Sequence, residues 1–336
     1  MEENLVNLSP TAAKKEITVL VPEMHQVEEL LYQTLAEAQG TIGEMGTYFL
    51  NSGGKRLRPL LIILSGKATA PLTPEREKNL IAAGAAVELI HMASLVHDDI
   101  IDQSLYRRGQ PSVHALWGAK GAVLAGDFLF AKAFDILVSH NLFSVLKLMV
   151  LAIQEMCQGE ILQSEQLFQT GQNEKDYFQR IEQKTGTLLA ACCQSGALIT
   201  QGNLRQVTGL KNYGTYLGYT YQITDDLLDF SGNSLDLGKP VCQDLRQGNL
   251  TLPILYLLQN QEAGSWVRQA IETKRLKPHH CAEIQKILRE EGFLLRTEEA
   301  AARCAAMAKN ELAGLSPSLN RTLLEIILEE ALKRTS

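Results

Sequence analysis

The sequence predicts an all-α protein, a bundle of roughly ten or more helices around a central apolar cavity, folded as one domain over residues 1–336. Three observations predict it. Aromatic residues make up only 6% of the chain, while Ala, Leu, Ile, Gln and Glu are plentiful, a balance that favours helix over sheet. Apolar residues recur at helical spacing through most of the chain, and no alternating strand pattern of useful length interrupts them. Gly, Pro and Asn punctuate that pattern at intervals, without a linker or a low-complexity segment.

Residues 1–20 are weakly patterned and read as a flexible arm. Between Met24 and Gln39 a helical stripe is formed by Val27, Leu30, Leu31, Leu35 and Ala38. Gly53-Gly54 breaks the next segment, and Pro59 suits the first turn of a helix from Leu60 to Ala70. Lys55, Arg56 and Arg58 therefore fall at a turn beside a helix start, where an anion can be cradled. Thr73-Pro74 opens a further helix that ends near Asp102, kept slim by Ala82, Ala83, Gly84, Ala85, Ala86 and Ala93. Helices are expected over 119–139, 143–168, 174–201 and 205–230, with Lys184-Thr185-Gly186 inside the third of these. The pattern then dissolves from Ser231 to Asn249, and an irregular stretch of that length usually carries function. From Thr251 onward the chain is helical again, with turns at Gly264, Pro278, Gly292 and Pro317.

A net charge of −6 argues against nucleic-acid binding, and it means that an anionic substrate must be held by local cations or metal ions. Cys157, Cys192, Cys193, Cys242, Cys281 and Cys304 show no CxxC pair or zinc spacing, and read as reduced, mostly core thiols of a cytoplasmic protein. His279-His280-Cys281 follows Pro278 as a solvated helix start, because adjacent side chains on a helix diverge. Met1-Glu2-Glu3 opens no basic-then-apolar leader. The most apolar windows are broken by Glu88 and His91, or by Asp127, Lys132 and Asp135, so no membrane span is expected.

The chemistry is concentrated in Asp98-Asp99-Ile100-Ile101-Asp102, followed by Arg107-Arg108-Gly109. On a helix Asp98 and Asp102 are i and i+4, about 6 Å apart on one face, and repel unless cations join them. One such cluster reads as a solvated acidic turn. A second copy, Asp225-Asp226-Leu227-Leu228-Asp229, makes metal binding the better reading. Carboxylate pairs facing one another across a bundle, with no histidine or cysteine set, suit Mg²⁺, which shares its shell with phosphate oxygens. Lys55, Arg58, Arg107, Arg108, Lys184 and Lys239 are then candidate phosphate binders, each alone no better than a surface charge. Metal, diphosphate and an apolar cavity together point to ionisation of an allylic diphosphate.

These residues resemble those of the trans-polyprenyl diphosphate synthases. The resemblance runs from about residue 25 onward, through Gly53-Gly54-Lys55-Arg56-Leu57-Arg58-Pro59, both acidic motifs, Lys184-Thr185, Tyr221-Gln222-Ile223-Thr224 and Gly238-Lys239-Pro240. More narrowly, Glu88 to Asp99 and Asp244 to Pro253 look like the larger, catalytic component of the bacterial heptaprenyl synthases. The resemblance implies an isoprenoid synthase-type fold and about three Mg²⁺ ions on Asp98, Asp102 and Asp225, with Asp99, Asp226 and Asp229 in support. It implies that Arg107, Lys184 and Lys239 hold the allylic diphosphate, with Thr185 and Gln222 near the developing cation. Lys55, Arg58, His91 and Arg108 would hold isopentenyl diphosphate. Where many relatives carry a lysine this chain has Asn249, so no diphosphate contact is assigned there.

The implied product is a long all-trans polyprenyl diphosphate for a quinone side chain, heptaprenyl within a hexaprenyl-to-octaprenyl range. The residues four and five before the first motif help set length in this family, and here they are the small Ser94 and Ala93. Ser94 lies about 40° from Asp98 on the helical wheel, and Ala93 about 140° away. From residue 80 to 102 the helix would span roughly 34 Å, the extent of roughly six to eight isoprene units. Phe128, Phe130 and Phe134 are candidates for the tunnel floor, Phe134 preferred. A geranylgeranyl-type synthase and a terpene cyclase are the alternatives; a cyclase would mix Asn, Ser/Thr and Glu in its second motif. Both acidic motifs are intact, unlike those of non-catalytic partner subunits. A homodimer and a pairing with a small non-catalytic component both stay open.

Overall fold

A computed structural model describes residues 21–231 and 242–333; the arm at 1–20 and Lys239 lie outside the described residues. In chain order the helices are α1 (Glu23–Ala36), α2 (Thr41–Asn51), α3 (Leu57–Thr69), α4 (Pro74–Ile101), α5 (Val113–Ser139), α6 (Phe143–Glu165) and α7 (Glu174–Ile181). A π-helical turn, Glu182–Gly186, leads into α8 (Thr187–Ile199) and α9 (Leu204–Ser231). Then come α10 (Gln243–Gln247), α11 (Leu252–Gln259), α12 (Gln261–Glu272), α13 (Pro278–Glu290), α14 (Phe293–Glu311) and α15 (Leu319–Lys333). Among the described residues the extended structure is one two-residue hairpin, β1 (Tyr106–Arg107) paired with β2 (Gln110–Pro111). The all-α expectation holds. The chain divides into two compact units, the first containing the described residues up to Val150 with Ala191–Thr208 and Leu315–Leu324, the second the remainder.

In the first unit α4 is the central element. Thr73 caps it by accepting the Arg76 N–H at 3.3 Å, Pro74 occupies its first turn, and Glu75 and Glu77 face the positive end of its dipole. Every residue from 81 to 90 is buried. A helix apolar all round is a core helix, and the small residues make that burial feasible. A Cβ on Gly84 would lie 3.2 Å from Val27 and 3.4 Å from Pro59, so α1 and α3 both approach its backbone. By length and hydropathy α4 could cross a membrane, but 78% of its apolar window is buried inside the protein. Helix α5 begins at Val113, six residues before the expected 119, because Ser112 accepts the Ala115 N–H and Gly118 absorbs a break at φ 74°.

Gly196 on α8 packs within the first unit, where an added Cβ would sit 2.2 Å from Ile62 O and 2.7 Å from Gly66 N. Both neighbours are backbone atoms and cannot rotate away. Gly196→Ala is expected to destabilise the protein by about 1–3 kcal/mol, the range for overpacking, read as a lower urea midpoint at unchanged slope.

The second unit is built around Ile223, Leu227 and Phe230 on α9, which join Tyr177, Ile181, Leu255 and Tyr256 in one apolar core. Two expectations are corrected here. The helix expected over 174–201 is interrupted by the π-turn, a feature with no periodicity of its own. Gly264 lies inside α12; the break falls at Asn260, whose side chain accepts the Glu262 and Ala263 N–H groups. Cys157 is exposed and the other five cysteines are buried, all as free thiols. At the start of α13 His279 is exposed and Cys281 buried, while the His279 and His280 rings meet edge to face at 4.3 Å rather than diverging.

Candidate active site

In the first unit, access to solvent returns along α4 only after the buried stretch, at His91, Ser94, Leu95, His97, Asp98 and Ile100, and then at Ile101 and Asp102. His91, Ser94, Asp98 and Asp102 follow one another at helical spacing, so they form a stripe. Asp99 points the other way, 1% exposed, and accepts Arg107 Nε at 2.7 Å. Burial raises its pKa, against the pull of Arg107. The pair ties the β1–β2 hairpin to α4, and Tyr48 Oη holds the hairpin's other strand by donating to Pro111 O at 2.7 Å. Asp99 and Arg107, read from sequence as metal support and diphosphate ligand, are thus bonded to each other.

The four residues assigned to isopentenyl diphosphate gather in the same unit. Lys55 and Arg58 flank the turn between α2 and α3, and the Arg108 guanidinium lies against it: a Cβ on Gly54 would be 2.9 Å from Arg108 Nη1. His91 feels Arg58 and Arg108, and after burial itself these cations hold its pKa well below the ordinary imidazole value. Its ring is neutral and offers one donor and one acceptor beside the cations. Sequence reading placed Arg56 in this cradle but missed the ion pairs that hold it, to Glu28 and to Glu88. The signal was present in Glu88 itself, since a charge inside an apolar run requires a buried partner.

In the second unit Asp225 is exposed, and Asp226 is turned inward at 2% exposure. Asp226 accepts Tyr177 Oη at 2.6 Å and Gln222 Nε2 at 2.9 Å. Burial first, and then Asp244, push its carboxyl up to about 7. Thr185 Oγ1 donates to Gln222 Oε1 at 3.1 Å, so Thr185, Gln222, Asp226 and Tyr177 form one hydrogen-bonded chain. The π-turn makes this chain possible by bulging Lys184 and Thr185 out of the helix. It is clasped by glycines: a Cβ on Gly159 would lie 2.8 Å from Gln183 Cβ, and one on Gly218 2.6 Å from Gly186 Cα. Lys184 Nζ bonds Glu160 at 2.9 Å and Gln163 at 3.2 Å. The oxygens of Asp229 accept the backbone N–H groups of Gln243 (3.0 Å) and Asp244 (3.3 Å), which starts α10. Asn249 Nδ2 donates to Asp244 Oδ1 at 3.2 Å, so its amide is used inside the turn.

Each acidic motif therefore turns its second carboxylate inward and its first outward. Among the described residues no three His, Cys, Asp or Glu side chains converge as a ready-made metal cage. Outward carboxylates at the ends of helices fit Mg²⁺ nonetheless, because that ion takes one or two carboxylates and completes its shell with water and phosphate. Of the proposed length-setting residues, Ala93 is fully buried and Ser94 half-buried, its Oγ donating to His91 O at 2.9 Å. Phe130 stacks on Phe134 at 6.3 Å and meets His97 at 5.9 Å, while Phe128 lies apart under Lys132.

The polyprenyl synthetase family model matches residues 39–288. The chain belongs to the polyprenyl synthetase family. A heptaprenyl diphosphate synthase component 2 from Geobacillus stearothermophilus is 40% identical over 72% of this chain and 74% of its own length. A decaprenyl diphosphate synthase from Rhodobacter capsulatus superposes with a TM-score of 0.89 at 28% identity, covering 96% of this chain and 99% of that one. A polyprenyl synthase from Caulobacter crescentus, complexed with calcium and isoprenyl diphosphate, superposes with a TM-score of 0.87 at 30% identity, covering 96% and 98%. This polyprenyl synthetase thus has the all-α isoprenoid synthase fold and is a transferase, a trans-polyprenyl diphosphate synthase.

Proposed function

We propose that this polyprenyl synthetase condenses an allylic diphosphate such as farnesyl diphosphate with successive isopentenyl diphosphates, in the presence of Mg²⁺, to give a long all-trans polyprenyl diphosphate. The observation that carries the proposal is the pairing, within one unit, of the outward carboxylates Asp98 and Asp102 with the cradle of Lys55, Arg58, His91 and Arg108. Bound Mg²⁺, about three ions in this reading, would neutralise the departing diphosphate. Asp98, Asp102 and Asp225 would hold it, and Arg107, Lys184 and Lys239 would share the negative charge that develops. Thr185 and Gln222, already hydrogen-bonded to each other, would present oxygen dipoles to the allylic cation that develops as the diphosphate leaves. The cradle orients the isopentenyl alkene toward the allylic carbon. A carbon–carbon bond forms as the carbon–oxygen bond breaks, and the departing diphosphate takes the proton.

Heptaprenyl is the proposed length. The accessible Ser94 stripe supports a long product, as does the similarity to a heptaprenyl synthase component. The two units are proposed to act as one synthase domain, in the reducing cytoplasm that six free thiols suit, with a quinone side chain as the product's destination. Leu116, Val123, Leu124 and Val138 are exposed on α5, which supports a homodimer or a small non-catalytic partner covering that face. Incubating the purified chain with farnesyl diphosphate, labelled isopentenyl diphosphate and Mg²⁺, and sizing the dephosphorylated products, tests the proposal. A ladder ending at heptaprenol is expected. Hydrocarbon released without isopentenyl diphosphate would indicate a cyclase, and a ladder stopping at geranylgeraniol a medium-chain synthase. Omitting Mg²⁺ or adding a chelator should abolish turnover.

A further inference from the structure

Glu88 is a carboxylate within eleven consecutively buried residues, Leu80 to Ile90, itself 2% exposed. Its Oε1 accepts Arg56 Nη1 at 2.9 Å, while its buried Oε2 meets no hydrogen-bond partner among the described residues. An ion pair of this kind is no bargain for stability, since desolvating both charges offsets much of their attraction. Arg56 is held at two further points: Nε donates to Glu28 at 2.6 Å and Nη2 to Leu50 O at 3.2 Å. Its side chain is 10% exposed and its backbone is left-handed, φ 46° and ψ 35°. One guanidinium thereby ties the turn between α2 and α3 to α1, to the end of α2 and to α4. Lys55 and Arg58 stand on either side of it in that turn. Arg108 lies on Gly54, and an added Cβ there would also be 3.3 Å from Arg56 Nη1. Burial first, and then Arg56, Arg107 and Arg58, disfavour the charge on Arg108, and Glu88 favours it. The cradle is a cluster of mutually repelling cations with one buried anion among them.

We propose that Glu88 and Arg56 are positioning residues for isopentenyl diphosphate: Glu88 is the fixed counter-charge that, through Arg56, sets the turn from which Lys55 and Arg58 reach the substrate. The inference rests on the reading of the cradle as the isopentenyl diphosphate site. It has a sign that a background charge would not produce. Removing an anion beside an anion site would by charge alone tighten diphosphate binding, whereas loss of positioning weakens it.

The test uses the full-length chain, with KM measured separately for isopentenyl and farnesyl diphosphates, kcat, and the melting temperature. Glu88→Gln keeps an acceptor for Arg56 but loses the charge, and Arg56→Lys keeps a charge but loses the fork. Each is expected to raise KM for isopentenyl diphosphate by about tenfold, with KM for farnesyl diphosphate little changed. Glu28→Gln, on the more exposed arm of the same guanidinium, should give a smaller rise in the same parameter. If Glu88→Gln does not fold, Arg56→Lys and Glu28→Gln decide by the same criterion. An unchanged or lowered KM for isopentenyl diphosphate, or equal rises for both substrates, overturns the proposal. Lys55→Ala and Arg58→Ala are the control: if neither raises KM for isopentenyl diphosphate, the assignment of the cradle has failed rather than the positioning.

Discussion

Replacing Asp98 with Ala is expected to lower kcat by about 10³-fold or more while leaving the melting temperature close to that of the parent chain. Asp98 lies at the end of α4 where access to solvent returns, so little packing is lost with its carboxylate. What is lost, on the proposed metal assignment, is a hard oxygen donor at the point where diphosphate charge must be neutralised. Asp225→Ala should behave alike, because that side chain is exposed at the corresponding position of the second motif. The neighbouring aspartates should separate from them in kind. Asp99→Ala leaves Arg107 without the partner it meets at 2.7 Å and empties a buried position. Asp226→Ala strands the hydroxyl of Tyr177 in the core. Both should lower the melting temperature, since a buried polar group left unsatisfied costs about 1–3 kcal/mol. Initial rates at saturating Mg²⁺, run beside thermal unfolding, distinguish the two classes. If Asp98→Ala lost its stability and kept its turnover, the metal assignment would fall.

Ser94→Phe is expected to shorten the product sharply. Ser94 stands one turn before Asp98, about 6 Å along the helix axis, on the accessible stripe. A phenyl ring at that level meets the growing tail within its first few isoprene units. Ala93→Phe should act differently, because Ala93 is wholly buried and an aromatic ring there must displace its neighbours, at about 1–3 kcal/mol. Mass analysis of the dephosphorylated alcohols, with unfolding curves for each variant, separates a blocked tail from a disturbed core. Unaltered products from soluble, folded Ser94→Phe would remove Ser94 from the wall. The floor is tested in the same way by Phe128→Ala, Phe130→Ala and Phe134→Ala. The stack of Phe130 on Phe134 favours a longer product from either of these over Phe128→Ala.

Much of the fold was legible because its signals are local. The cap at Thr73-Pro74 and the glycine break before α3 each act on their own few neighbours in the chain. The misplaced boundaries were those where a single side chain or glycine overrides periodicity: Ser112 and Gly118 at the start of α5, and Asn260 before α12. The π-turn at Glu182–Gly186 had no local signature. It is held by close backbone approaches at Gly159 and Gly218, both distant in sequence.

The sequence by itself determined that the chain is helical, that two Asp-Asp-x-x-Asp motifs end apolar helices, and that a basic turn and a basic pair accompany them. Helical geometry also determined that adjacent aspartates diverge by about 100°. Only the tertiary structure decided which of each pair faces outward. The angle between two side chains is a property of the helix, but the zero of that angle is set by what packs against it. Tyr177 lies 49 residues from Asp226, and Arg107, on the β1–β2 hairpin, lies 8 residues from Asp99. Those partners draw one carboxylate of each motif inward, and leave Asp98 half-buried and Asp225 exposed.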